Sequence, residues 1–184
     1  MTHVSQPRIL AGRAKGTPLE TPKRGTRPSP ARLRQALFDA LQTRVGGRFL
    51  DLYAGSGAIG LEAASRGFDV TLVERNPAAM QVLRRNARKA HLDVTLVEGD
   101  ALAHVKAHAN AYDLVFAAPP YTEPLPPIFE AIVASQAVTP GGVYLLQHPS
   151  HEPLTGDVVA HAPAGTRVTS RRYGSNTVTW LRVP

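Results

Sequence analysis

Cysteine is absent from this 184-residue chain. That excludes disulfide scaffolding, thiolate-ligated zinc and every mechanism built on a thiolate nucleophile, including the covalent adduct used to methylate C5 of cytosine. Long apolar runs are missing too. Nothing approaches the roughly 18 to 20 residues of a membrane span, and the polar start Met1 to Arg8 holds no signal-peptide core. The expectation is a cytoplasmic protein that does not meet the membrane. His104 and His108 stand four apart, but no third ligand lies near them, so no metal site is expected. The length suits one α/β domain with a full core, expected as a monomer.

Acidic residues are scarce at one end of the chain. Residues 1–48 hold ten Lys or Arg against only Glu20 and Asp39, while the remainder holds eleven against twelve acidic residues. All of the net charge of +7 therefore sits in the leading segment. A polyanion is the natural partner of such an arm, and Gly, Pro and Thr interleave with its basic residues, which argues against simple low complexity. Arg8, Arg13, Lys15, Lys23, Arg24, Arg27, Arg32 and Arg34 are the candidate nucleic-acid contacts. The domain reading is a basic extension, residues 1–48, packed on a main domain, residues 49–184.

Patterning gives the elements. Arg8 to Ala11 and Thr17 to Thr21 read as a small hairpin, Thr21 to Pro30 as an irregular loop, and Pro30 as the start of a helix whose Leu33, Leu37, Ala40 and Leu41 share a face. Strands are expected at Phe49 to Tyr53, Val70 to Glu74, Val94 to Glu98, Leu114 to Ala117 and Val143 to Gln147. Helices are expected at Ala58 to Ser65, from Asn76-Pro77 through Ala90, at Leu102 to His108 and at about Pro126 to Ser135. On the helix that starts at Asn76-Pro77, Arg84, Arg85, Arg88 and Lys89 form a cationic outer face, read as solvated. The chain ends in a hairpin, Thr166 to Tyr173 and Thr177 to Val183. Alternating strands and helices with short loops imply a mostly parallel sheet covered on both faces.

The chemistry gathers at strand ends, where open α/β sheets bind ligands. Asp51-Leu52-Tyr53-Ala54-Gly55-Ser56-Gly57-Ala58-Ile59-Gly60 is a strand turning through glycines into a helix, and the absence of Cβ at Gly55 and Gly57 lets a ligand lie against the backbone. Glu74 ends the second strand, 19 residues past Gly55, where a carboxylate can accept from both hydroxyls of a ribose. Asp100 ends the third, placed to accept from an adenine amino group. Asp51, Tyr53, Ala54, Gly55, Gly57, Glu74, Arg75, Gly99, Asp100 and Ala101 are therefore the candidate cofactor contacts, for an adenosyl cofactor. A dinucleotide dehydrogenase would share the glycines and Glu74 but has no need of Asp100. Beyond the fourth strand, Ala118-Pro119-Pro120-Tyr121 offers backbone carbonyls, two prolines that donate no N–H, and an aromatic face on which a base can stack.

These motifs carry a resemblance. The sheet with its final hairpin is similar to class I S-adenosylmethionine-dependent methyltransferases, a Rossmann-like fold of seven strands, and Pro-Pro-Tyr resembles the motif of amino-group methyltransferases, usually preceded by Asp or Asn. Arg8-Ile9-Leu10-Ala11-Gly12, Gly16, Pro22, Thr26-Arg27-Pro28-Ser29, Arg32-Leu33-Arg34, Ala36-Leu37-Phe38, Leu61-Glu62-Ala63-Ala64-Ser65-Arg66-Gly67 and Arg172-Tyr173-Gly174 resemble the RsmD family over nearly the whole chain. The resemblance implies transfer of a methyl group from S-adenosylmethionine to N2 of a guanine in small-subunit (16S) ribosomal RNA, with Ala118, Pro119, Pro120 and Tyr121 as the catalytic loop and the ribosomal RNA or small subunit as partner. It departs at Ala118, where the family places Asp or Asn. The alternatives are an adenine N6 methyltransferase on DNA, or a degenerate cofactor-binding protein that grips RNA without turnover.

Overall fold

The computed structural model describes residues 6–24, 29–44 and 46–184. Its elements in chain order are α1 (Ala31–Leu41), β1 (Arg48–Leu52), α2 (Ala58–Ser65), β2 (Asp69–Glu74), α3 (Pro77–Lys89), β3 (Thr95–Glu98), α4 (Ala101–Lys106), β4 (Tyr112–Ala117), α5 (Leu125–Ala134), β5 (Val138–Pro149), α6 (Gly156–Ala160), β6 (Arg167–Tyr173) and β7 (Asn176–Arg182). One seven-stranded sheet runs in the order β3-β2-β1-β4-β5-β7-β6. The first five strands of that order pair in parallel, and β7 joins β5 and β6 by antiparallel ladders. Strand order reverses between β1 and β4, which opens a crevice at their carboxyl ends. Among the described residues, no helix is long and apolar enough to cross a membrane.

Each central strand feeds two cores by alternation. Phe49 of β1 and Phe116 of β4 pack toward α1, α2 and α3, with Leu33, Leu37, Leu61, Met80 and Leu83. Leu50, Leu52, Val115 and Ala117 pack toward α4, α5 and α6, with Val105, Phe129, Ile132 and Val158. Because both faces are buried, β1 and β4 read as continuous apolar runs rather than alternating ones. In α3 the Asn76 side chain caps the helix by accepting from the N–H groups of Ala78 and Ala79 at 2.9 and 3.1 Å. Such a cap contributes about 1 kcal/mol. The cationic outer face of this helix, Arg84, Arg85, Arg88 and Lys89, is exposed.

The leading segment packs into the same core as α2 and α3: Ile9, Leu19, Leu33, Leu37 and Phe38 are all buried in it. Polar staples hold it there. The Leu10 N–H donates to both carboxylate oxygens of fully buried Glu62, at 3.0 and 3.1 Å. Ser65 donates its hydroxyl to Ala11 O at 2.6 Å and accepts from the Ala14 N–H at 3.0 Å. Buried Asn86 accepts from the Glu20 N–H at 2.8 Å and donates to Glu20 O and Ser56 O, tying arm, helix and glycine turn together. Gly12 must be glycine: a Cβ there would fall 1.9 Å from Ser65 O, at a φ of +83°.

Two expectations shift, and one helix is new. The N-terminal hairpin narrows to one antiparallel bridge, Arg8 with Pro18, since Pro7 and Pro18 donate no N–H to extend the ladder. β5 begins at Val138 rather than Val143, and the Pro140-Gly141-Gly142 stretch is a register irregularity within it. The short α6 had no sequence signal. On α1, Leu33, Leu37 and Leu41 are buried and Ala40, partly buried, packs against the same core, as their shared face implies.

Candidate cofactor and base site

A cleft of about 1030 Å³ opens at the carboxyl ends of β1, β2, β4 and β5. Its floor is the glycine turn. Gly55 and Gly57 adopt φ of +58° and +85°, and Tyr53 sits at +62°, so the chain turns sharply between β1 and α2. Gly57 is the left-handed N-cap of α2 and shapes the turn from beneath, outside the cleft lining. Tyr53, Ala54 and Gly55 line the cleft directly. Burial, then the Asp100 carboxylate, push the Tyr53 phenol up to about 12, with Arg75 pulling the other way.

Glu74 stands at the end of β2, buried, with Oε1 accepting from the Gly55 N–H at 2.9 Å and Oε2 from the Asn76 N–H at 2.8 Å. Two backbone donors thus hold the carboxylate at the cleft wall, and a carboxylate retains acceptor capacity beyond two bonds. Asp51 lies deeper, accepting from the Gly60 N–H at 2.9 Å. Burial raises its carboxyl from 3.8 to about 7, opposed by the Gly60 hydrogen bond and reinforced by nearby Glu74. Gly60 allows this contact, since a Cβ there would meet Leu72 at 2.4 Å and Asp51 Oδ2 at 3.0 Å. Arg75, Gly99 and Ala101, three of the candidate cofactor contacts, line the cleft as well. Asp100 does not line the cleft: exposed, it caps α4 by accepting from the Ala103 N–H at 2.8 Å.

Ala118, Pro119, Pro120 and Tyr121, following β4, line the same cleft. Tyr121 is 42% exposed, yet its hydroxyl is fixed by two partners, donating to Asn176 Oδ1 at 2.7 Å and accepting from Gln147 Nε2 at 3.3 Å. Burial of that hydroxyl raises its pKa, while the Gln147 hydrogen bond lowers it. The ring face is thereby held still without being covered. Register aligns Ala117 with Leu146, which sets Gln147 beside Ala118 at the next step of the sheet. The other carboxamide atom, Oε1, is buried without a partner among the described residues. Gln147 and Asn176 carried no sequence signal, because they reach the cleft only when β5 and β7 join the sheet. An ion pair of 3.2 Å between Arg75 and Glu123 links β2 to the loop after Tyr121.

The arm closes one side through Thr21, Arg24, Ser29 and Pro30. Arg24 therefore reaches the cleft. Arg8, Arg13, Lys15, Lys23 and Arg32 are exposed on the surrounding surface, and Arg27 lies outside the described residues. Arg34 requires a correction. It is buried at 1% exposure, with Nη1 donating to Arg8 O at 3.0 Å and Nε to Ser29 O at 3.4 Å. Burial lowers its pKa against the opposing pull of Glu62. Its guanidinium braces the arm and is not free for phosphate. Glu62 likewise belongs to the staple: burial raises its pKa although the Leu10 N–H, Arg66 and Arg34 all favour its ionised form. His104 and His108 stack on each other at 4.1 Å, and His104 Nε2 meets the Tyr112 hydroxyl at 2.7 Å.

Comparison with known proteins places the chain in a family. The family described as Conserved hypothetical protein 95 matches residues 7–182. Ribosomal RNA small subunit methyltransferase D of Escherichia coli is 35% identical over 120 residues, 63% of this chain and 61% of its own length. The solved structure of a hypothetical protein from Thermus thermophilus is 42% identical, with a TM-score of 0.83 over 96% of this chain and 99% of that one. The Thermus thermophilus 16S rRNA N2 methyltransferase RsmC, solved with AdoMet and guanosine, shares the fold at a TM-score of 0.69 and 22% identity, over 88% of this chain and 45% of that one. With a family match that runs through arm, cleft and final hairpin alike, the chain belongs to the Conserved hypothetical protein 95 family, that of the RsmD methyltransferases.

Proposed function

We propose that this protein transfers a methyl group from S-adenosylmethionine to the exocyclic N2 amine of a guanine in small-subunit ribosomal RNA. One observation carries the reading: the glycine turn with Glu74 and the Pro-Pro-Tyr loop line a single cleft. The relative's printed activity, small-subunit ribosomal RNA methylation, supports the substrate. In this reading residues 49–184 form the catalytic domain and residues 1–48 the RNA-facing extension, working as a cytoplasmic monomer on ribosomal RNA or the assembled subunit.

The residues present fit the cofactor. A carboxylate pinned by two backbone N–H groups at the end of β2 suits two ribose hydroxyls, the exposed Asp100 at the rim suits an adenine amino group, and buried Asp51 suits an ammonium. When bound, S-adenosylmethionine supplies an electrophilic sulfonium methyl. The protein must then hold a weak nucleophile in line, because the guanine amine delocalises its lone pair into the ring. Tyr121, immobilised by Gln147 and Asn176, stacks the base. The Ala118 carbonyl, and the carboxamide of Gln147 beside it, accept from the amine protons. Orientation supplies much of the acceleration. The missing side-chain acceptor at Ala118 lowers the rate by on the order of 10²-fold relative to a chain that has one.

The test is transfer of labelled methyl from S-adenosylmethionine to small ribosomal subunits, their naked RNA and duplex DNA in parallel. Label on ribosomal RNA supports the assignment. Label on DNA alone reverses it in favour of adenine methylation, and cofactor binding without transfer to any ribosomal particle shows a degenerate RNA-binding protein.

A further inference from the structure

The sheet ends in an uncovered arginine face. β6 is the edge strand, and every residue from Arg167 to Arg172 is exposed. Cross-strand pairs place Arg167 opposite Arg182, Thr169 opposite Trp180 and Arg171 opposite Val178. Paired residues share a face, and Val178 and Trp180 pack into the core on the α1 side. Arg167, Arg171 and Arg182 therefore stand on the face that also carries the basic arm. Arg44, just past α1, reaches the same corner, its Nη2 donating to Gly141 O at 2.8 Å.

Arg48, Arg66, Arg75 and Arg85 each pair with a carboxylate. Among the described residues none of Arg44, Arg167, Arg171 and Arg182 does so. Arg182 is instead held by its own sheet: its guanidinium lies 4.8 Å from the Trp180 ring centroid and donates to Thr169 Oγ1 at 2.9 Å. Burial, then Arg167, Arg171 and Arg44, lower its pKa, so each of these three cations acts on Arg182. Uncompensated repulsion of this kind is relieved by a polyanion.

From this arrangement we infer that Arg44, Arg167, Arg171 and Arg182 form a phosphate track that carries the RNA backbone flanking the reacting guanine. The step from Arg167 to Arg171 spans about 13 Å along the strand. It runs toward Tyr173 and its partner Asn176, and Asn176 lines the cleft. The inference rests on the ribosomal RNA reading above. It adds a second wall of contact on the side of the cleft opposite β3, so that the substrate is gripped by the arm and by the edge hairpin together.

The experiment measures binding of a small-subunit ribosomal RNA fragment against salt for wild type and for the triple variant Arg44→Gln, Arg167→Gln, Arg171→Gln. Arg182 is kept because it stacks on Trp180. A control triple, Arg84→Gln, Arg88→Gln, Lys89→Gln on the outer face of α3, removes the same charge. Each lost phosphate contact lowers the slope of log K against log salt by about 0.7 to 0.9, so the track variant should lose about 2 to 3 in slope. Its S-adenosylmethionine affinity should match wild type, and the control should keep most of its slope. An unchanged slope in the track variant, or an equal loss in the control, overturns the track alone. Wild type that binds S-adenosylmethionine but no ribosomal RNA overturns the functional reading on which the track depends, and the track with it.

Discussion

Asp51→Asn isolates one buried charge. The carboxyl of Asp51 is 2% exposed, receives a single backbone hydrogen bond from Gly60, and has its pKa raised from 3.8 to about 7 by burial. A rise of about three pH units corresponds to on the order of 4 kcal/mol. The sign follows from which state holds the proton. Below about pH 4 the group is neutral in both folded and unfolded chains and contributes nothing. Between about pH 4 and 7 the unfolded chain ionises while the folded one stays protonated, so stability falls as pH rises, and above 7 the full penalty is present. Asparagine keeps an oxygen for the Gly60 N–H but does not titrate. The variant's stability relative to wild type should therefore climb by on the order of 3 kcal/mol from pH 5 to 7 and level off by pH 8. Urea unfolding at each pH, followed by the fluorescence of buried Trp180, the single tryptophan, reads this directly. A difference that stays constant from pH 5 to 8 refutes the argument. The same ionisation, opposed by burial, is favoured by a cation, so wild-type affinity for S-adenosylmethionine should tighten as pH rises through 7 and the variant's should not.

Other expectations concern the loop, the staple and the wall. Ala118→Asn should raise the rate of methyl transfer to ribosomal RNA by up to about 10²-fold, with cofactor affinity unchanged; a rate no faster than wild type shows that the missing acceptor does not limit turnover. Gln147→Leu frees the Tyr121 hydroxyl from one of its two partners, and should lower kcat while leaving cofactor binding intact; Gln147→Glu, which retains an acceptor, should recover part of the loss. Ser65→Ala removes both hydrogen bonds to the arm, at Ala11 and Ala14, and should cost about 1 to 3 kcal/mol. Limited proteolysis should then release residues ahead of α1 first, and a digestion pattern identical to wild type argues against the staple.

How much is visible before the fold depends on the distance over which each residue acts. α2 lies at Ala58–Ser65, the bounds its pattern implies, because a helix beginning at a glycine turn is a local matter. Glu74 and the Pro-Pro-Tyr loop are legible because strand ends in alternating α/β sequences converge by topology alone. Asp100 follows the end of β3 as its pattern implies, but its capping bond to Ala103 is an equally local use of the same side chain. Arg34 reads as surface charge in the sequence, since nothing within α1 shows that Glu62 and the carbonyl of Arg8 will enclose it. The family stretch from Leu61 to Gly67 likewise hides its role, as Glu62 and Ser65 act on backbone far away in sequence, at Leu10 and Ala14. Gln147 and Asn176 need the order β4-β5-β7 before either can touch Tyr121.

The central claim is a methyl group placed on a guanine amine of small-subunit ribosomal RNA, in a cleft shared by Glu74 and Tyr121. Digesting ribosomal RNA after incubation with the protein and labelled S-adenosylmethionine, and separating the nucleosides, tests it most directly. The account predicts that the label runs as N2-methylguanosine at a single position and disappears with Tyr121→Ala. Label in any other nucleoside contradicts it, as does ribosomal RNA left unlabelled by protein that binds the cofactor.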